Sequence, residues 1–164
     1  MSVEQRLAAV EARLQTLEDQ EKIRRCLARY GFNADLGRSE EYVNLWSEDG
    51  LYDLDSGQLS GEAALREMIT SPTGAHKSQI ENRSMHAVGN LFIEIQGDTA
   101  FAEGYSVVWV RDANGVHHPR TAGYNHWDFR RKGEGWLMTR RLRREVGGPQ
   151  WGGETIKSYL DAAD

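Results

Sequence analysis

The feature that most constrains this chain lies in its second half, where four strand-like runs follow one another with only turn residues between them. Met85 to Ile95, Thr99 to Arg111, Val116 to Arg131 and Trp136 to Glu145 are rich in β-branched and aromatic residues. Their separators are Gln96-Gly97-Asp98, Asp112-Ala113-Asn114-Gly115 and Lys132-Gly133-Glu134-Gly135. Such short glycine-bearing junctions reverse the chain tightly, so consecutive runs pair as antiparallel neighbours. A meander of this size has a face to bury, and the helical segments before it are what can cover one mouth of the sheet. The expected fold class is therefore α+β: a curved antiparallel sheet capped by N-terminal helices.

From Ser2 the chain reads as a long helix, with Ser2 and Gln5 at capping-box spacing. Val3, Leu7, Val10, Leu14 and Leu17 alternate at four and three residues, like a short coiled-coil seam. The pattern breaks near Asp19 to Glu21 and resumes on a shifted face with Ile23, Leu27 and Tyr30. The two halves thus serve different surfaces, and residues 1–20 are expected to contact another protomer in a homo-oligomer, a dimer or trimer. A short helix is expected from Ser39 to Trp46, then a brief strand from Leu51 to Asp55. Ser60 and Gly61 introduce a helix carrying Leu65, Met68 and Ile69, and Ser71 to Asn82 reads as a loop. The tail from Gly147 reads as extended, with a weak helix over Glu154 to Ala163. No repeat or linker interrupts the 164 residues, so a single domain, 1–164, is expected.

Charge and cysteine content narrow the function. The net charge is −5, with acids and bases interspersed, which argues against nucleic acid as a partner despite Arg130, Arg131, Lys132 and the run from Arg140 to Arg144. The single cysteine, Cys26, forms no internal disulfide and reads as a buried thiol, so the cytoplasm is the expected compartment. Met1 to Leu7 carries charge where a signal peptide needs an apolar stretch, and no run reaches the length of a membrane span. Neither secretion nor membrane insertion is expected.

A curved sheet under helices encloses an apolar pocket, and polar residues aimed into it are the candidates for chemistry. His86 opens the first long strand between Met85 and Ala87. Asp35 follows the first helix in Asn33-Ala34-Asp35-Leu36-Gly37, and Tyr30 lies five residues before it. Taken singly, each has a bland reading: a structural histidine, a turn aspartate bonded to nearby amides, a core aromatic. Asn90 shares His86's strand parity and reads as a substrate contact or a backbone partner. Strand alternation puts Arg141 and Arg143 on the face opposite Trp136, Met138 and Leu142. A solvated or subunit-facing row is the readier explanation for the two arginines, and anion or carbonyl recognition the functional one. Tyr124, His126 and Asp128 share another strand face. Adjacent His117 and His118 point to opposite sides, which spoils joint metal ligation, and no metal or other cofactor is expected.

The combination of segments resembles the SnoaL-like branch of the nuclear-transport-factor-2-like superfamily, which includes scytalone dehydratase, bile acid dehydratase and hexachlorocyclohexane dehydrochlorinase. The segments that carry the resemblance span Glu21 to Glu145. They are the helix end Ala28-Arg29-Tyr30-Gly31-Phe32-Asn33-Ala34-Asp35, Leu45-Trp46-Ser47-Glu48-Asp49-Gly50 and Leu59-Ser60-Gly61-Glu62-Ala63-Ala64-Leu65, followed by Met85-His86-Ala87-Val88-Gly89-Asn90, Gly97-Asp98-Thr99-Ala100, Gly123-Tyr124 and Gly135-Trp136-Leu137-Met138. The resemblance implies a cone-shaped, cystatin-like α+β barrel, with Asp35 and His86 as a proton-transfer pair and Tyr30 binding or polarising substrate. Tyr52 falls near a further pocket tyrosine, and Tyr124, Asn90, Arg141 and Arg143 complete the candidate substrate contacts.

The chemistry follows from the groups themselves. A neutral imidazole takes a substrate proton, a carboxylate beside it fixes its tautomer, and a phenol stabilises the developing oxyanion. The expected activity is a cofactor-independent lyase of dehydratase type, or an isomerase, acting on a small hydrophobic compound that is hydroxylated aromatic, polyketide-like or steroid-like. The alternative is a noncatalytic ligand-binding or scaffold member, such as a dioxygenase small-subunit-like protein. An Asp35–His86 contact inside a pocket discriminates between them.

Overall fold

A computed structural model describes residues 1–151 together with Lys157 and Asp161. The elements run α1 (Val3–Asp35), α2 (Ser39–Val43), β1 (Trp46–Leu54), β2 (Gly57–Ser60), α3 (Gly61–Thr70), α4 (Ala75–Gln79), β3 (Ser84–Gln96), β4 (Thr99–Arg111), β5 (His117–Lys132) and β6 (Gly135–Glu145). One six-stranded sheet has the order β2-β1-β6-β5-β4-β3. The α+β class holds, and β3 to β6 form the expected antiparallel meander. The sheet is mixed rather than wholly antiparallel, because β1 lies parallel to β6, with Tyr52 opposite Arg141. Parallel neighbours need a long crossover, which here is everything from β2 to β5. The helix expected to reach Trp46 ends at Val43, and residues 46–50 extend β1 instead. The expected loop from Ser71 to Asn82 contains the one-turn helix α4. The weak terminal helix over 154–163 lies, apart from Lys157 and Asp161, outside the described residues.

Helix α1 begins with both capping-box bonds: the Gln5 backbone N–H donates to Ser2 Oγ at 3.2 Å, and the Ser2 backbone N–H to Gln5 Oε1 at 2.8 Å. It is continuous through Asp19 to Glu21, so the shift of apolar face marks a change of surroundings rather than a break. Residues 1–18 are exposed, including Val3, Leu7, Val10, Leu14 and Leu17. At Asp19 the helix meets the sheet. Its carboxylate, 1% exposed, accepts from Arg131 Nη1 (3.1 Å) and Nη2 (2.9 Å), Trp136 Nε1 (3.1 Å) and Gln15 Nε2 (3.1 Å). Beyond it Ile23, Leu27, Tyr30 and Ala34 pack into a core shared with Leu65 and Ile69 of α3 and with Trp127, Phe129 and Met138 of the sheet.

Three β-bulges decide which side chains face that core. Between Gly89 and Phe92 the register slips, and Asn90 takes φ +51°. Between Val108 and Trp109 the partners jump from Thr121 to Pro119, leaving Arg120 as the extra residue. Between Asp128 and Phe129 they jump from Arg140 to Met138, leaving Thr139. Each bulge bends its strand and resets the alternation beyond it. The Thr139 bulge corrects the expectation for β6: Arg141 and Arg143 share the inner face with Trp136 and Met138, and Leu142 points the other way, against Tyr124.

Candidate active site

Helix α1 ends where β3 begins, and this junction joins the two principal candidates. The His86 Nδ1–H donates to Asp35 Oδ1 at 2.6 Å, and the His86 backbone N–H donates to Asp35 Oδ2 at 3.0 Å. Ser84 Oγ donates to Asp35 Oδ1 as well. Burial pushes the Asp35 carboxyl up, but the hydrogen bonds from His86 and Ser84 outweigh it and hold the group below the usual carboxylate range. An ionised Asp35 keeps the proton on Nδ1 and leaves the Nε2 lone pair facing outward. The helix comes this close because residue 31 is glycine: a Cβ there would lie 3.1 Å from the His86 Cβ. Both side chains keep slight access, 14% for His86 and 13% for Asp35.

Their surroundings are two cavities of about 460 and 290 Å³, and Tyr30, His86 and Arg141 line both. Arg141 is 3% exposed and has no acidic partner among the described residues. Its Nε and Nη2 donate to Asn125 Oδ1 (3.0 and 2.7 Å), and its Nη1 donates to the Tyr30 hydroxyl. The guanidinium also lies over the rings of Tyr30, Tyr52 and Trp127 at 4.7 to 5.6 Å. The Tyr42 hydroxyl donates to Tyr30 at 3.0 Å. Tyr30 thus accepts twice, and with the Tyr52 hydroxyl also in hydrogen-bond contact, the three phenols and the guanidinium form one network at the cavity wall. Burial pushes the Tyr42 and Tyr52 phenols up, so both remain protonated.

The structure thus brings together Asp35, His86, Tyr30, Tyr52 and Arg141, with Arg143 further along the wall of the larger cavity. Two candidates stand elsewhere. Asn90 is the bulge residue of β3, exposed and in neither cavity, because the slipped register cancels the parity it was expected to share with His86. Tyr124 lies on the opposite face of β5, packed with Leu142, while Asn125 and Trp127 face inward. On that outer face His126 sits between Glu103 Oε1 (3.1 Å) and Asp128 Oδ1 (3.0 Å). Among the described residues no three His, Cys, Asp or Glu side chains gather in a way that would hold a metal ion.

Sequence reasoning missed His76, Arg120 and Thr121, all on the wall of the larger cavity. His76 is 9% exposed, donates from Nε2 to the Ala34 carbonyl at 2.7 Å, and burial lowers its pKa. Its segment is polar throughout, so only the contact to α1 singles it out. Asn125, which holds Arg141, sits between two residues that the strand pattern singled out, Tyr124 and His126, and was passed over.

The model of the SnoaL-like domain family matches residues 15–142. The chain belongs to the SnoaL-like family. This SnoaL-like protein is 33% identical to an NTF2-like protein with a cystatin-like fold from Novosphingobium aromaticivorans, over 94% of this chain and 96% of that one, with a TM-score of 0.81. A protein of unknown function from Mycobacterium tuberculosis, solved as a single-substitution variant, is 24% identical over 79% of this chain and 73% of its own, with a TM-score of 0.71. A provisionally assigned dehydratase of the NTF2-like family from Streptomyces avermitilis shares the fold at 14% identity, over 79% and 97% of the two chains, with a TM-score of 0.67. No protein of curated function matches the chain. No helix among the described residues is long and apolar enough to cross a membrane.

Proposed function

We propose that this SnoaL-like protein is a cofactor-independent lyase that eliminates water, or a comparable small leaving group, from a compact hydrophobic substrate. One observation carries the reading: the 2.6 Å bond between Asp35 and His86 at the wall of two cavities, with the imidazole's second nitrogen unbonded among the described residues. A scaffold or simple carrier has no use for that pair. The neighbouring provisionally assigned dehydratase is in keeping with it.

In the proposed cycle His86 Nε2 removes a proton from the carbon next to a substrate carbonyl, and Asp35 stabilises the imidazolium so formed. The Tyr30 hydroxyl donates to the carbonyl oxygen as it becomes an enolate, and the buried Arg141 cation behind Tyr30 strengthens that donor. The enolate expels the β-hydroxyl group, which takes the proton back from His86 and leaves as water, so the base is regenerated. Tyr52 and the apolar walls hold the substrate body and exclude bulk water.

The test compares wild type, His86→Ala and Asp35→Asn on hydroxylated aromatic, polyketide-like and steroid-like compounds, with loss of water followed by mass spectrometry. Turnover in wild type and its collapse in both folded variants is the expected result. Undiminished turnover in either variant would defeat the proposal.

A further inference from the structure

We propose that the larger cavity accepts a substrate carrying a carboxylate at the end remote from its reacting carbon, and that Arg143 and Arg120 hold that carboxylate. The inference rests on this cavity being the substrate site and adds the class of molecule that enters it. The first observation is charge: among the described residues the wall includes Arg120, Arg141 and Arg143 and no aspartate or glutamate. Arg141 is engaged by Asn125 and Tyr30, so the other two decide what the cavity recognises.

Among the described residues both have neutral partners. Arg143 Nη2 donates to Thr121 Oγ1, and Arg120 donates through Nε (3.1 Å) and Nη2 (2.8 Å) to Gln79 Oε1. Neither forms an ion pair among the described residues. The Glu145 carboxylate accepts the Thr121 hydroxyl proton at 2.9 Å instead. Other arginines of this fold have found acids: Arg131 pairs with Asp19 and Asp98, Arg144 with Asp53, and Arg66 with Glu40 and Glu62. A guanidinium presents five N–H donors in a planar fork that matches a carboxylate, and here most of them are unspent.

The second observation is how the two groups are seated. Arg120 is the bulge residue of β5, and the bulge is what turns it towards the cavity. Arg143 lies flat over residue 123, where a Cβ would come within 3.0 Å of its Nε and 3.1 Å of its Cζ, so glycine provides the seat. The third is distance. His86 pairs with Val108, and Val108 with Thr121, so two strand spacings, about 10 Å, separate the base from the residue that braces Arg143. Val108, Ile80, Leu59 and Met68 supply apolar wall for the substrate body. A molecule with its acidic carbon at His86 therefore places its anionic end against Arg143 and Arg120.

Equilibrium dialysis of the full chain against acid and amide pairs tests this: 2-naphthoate with 2-naphthamide, and 4-phenylbutyrate with 4-phenylbutyramide. Wild type is expected to bind the acid of a pair at least tenfold more tightly, the scale of a charge-assisted pair of hydrogen bonds. The Arg120→Gln/Arg143→Gln double variant should bind acid and amide about equally and keep a native circular dichroism melt. Arg130→Gln, which removes an exposed charge paired with Asp49, should keep the preference, and added salt should narrow it. Equal binding of acid and amide by wild type, no binding of either pair, or a preference that survives in the double variant overturns the proposal. Because the readout is binding without turnover, failure of the proton-transfer reading leaves this result interpretable, and the reverse holds too.

Discussion

Asp19 offers a quantitative check on how α1, and with it Tyr30 and Asp35, is fixed to the sheet. Hydrogen bonds from Arg131, set against burial and aided by those from Gln15 and Trp136, lower its pKa from 3.8 to about 2. A depressed carboxylate pKa adds stability that is fully present above the unfolded value and is lost as pH falls through the folded one. That drop corresponds to about 2.5 kcal/mol at pH 7, about half of that at pH 3 and about 0.4 kcal/mol at pH 2. Asp19→Asn removes the titrating group while keeping its shape. Urea unfolding of both proteins, followed by tryptophan fluorescence, should give a stability difference near 2.5 kcal/mol at pH 7 that shrinks by about half at pH 3. Comparing the two proteins at each pH cancels the titration of other groups. A difference that is independent of pH, or below about 0.5 kcal/mol at pH 7, would refute the assignment of Asp19 as the anchor.

Three further outcomes follow from the structure. Asp35→Asn should lower kcat about 30- to 1000-fold with KM little changed, because a charge pair about 4 Å apart in a partly screened site is worth about 2–4 kcal/mol to the imidazolium. Steady-state kinetics on any substrate found in the panel would measure it. Gly31→Val puts a branched side chain against the His86 Cβ, and thermal melts should register a loss of about 1–3 kcal/mol together with lowered turnover. The exposed stripe of α1 is proposed as the contact between protomers, so light scattering should give wild type a mass of more than one chain; Leu7→Glu with Leu14→Glu should lower that mass and leave the melting temperature of the fold nearly unchanged.

Where local pattern decides structure, the fold was legible. Turn residues punctuate β3 to β6 closely enough to fix their neighbours, and Ser2 with Gln5 marks the helix start because both capping bonds are short-range. The pairing of Asp35 with His86 was legible only through the resemblance of the surrounding segments, since nothing in either sequence neighbourhood specifies the other. Long-range choices were not legible. Nothing in Trp46 to Leu54 says that β1 joins the far edge of the meander in parallel. Bulges hid most. One extra residue at Asn90, Arg120 or Thr139 exchanges inner and outer faces for the rest of a strand, and only Asn90, beside Gly89, carries a local hint in its tolerance of positive φ. For the same reason Arg141 and Arg143 read as a solvated or subunit-facing row, although they line the cavity.

Tyr30, His86 and Arg141 each border both chambers, so the imidazole faces two spaces rather than closing the bottom of a single one. A molecule seated in one chamber covers these three side chains from that side alone and leaves their surface in the other chamber uncovered. A ligand meant to enclose His86 therefore has two chambers to fill rather than one.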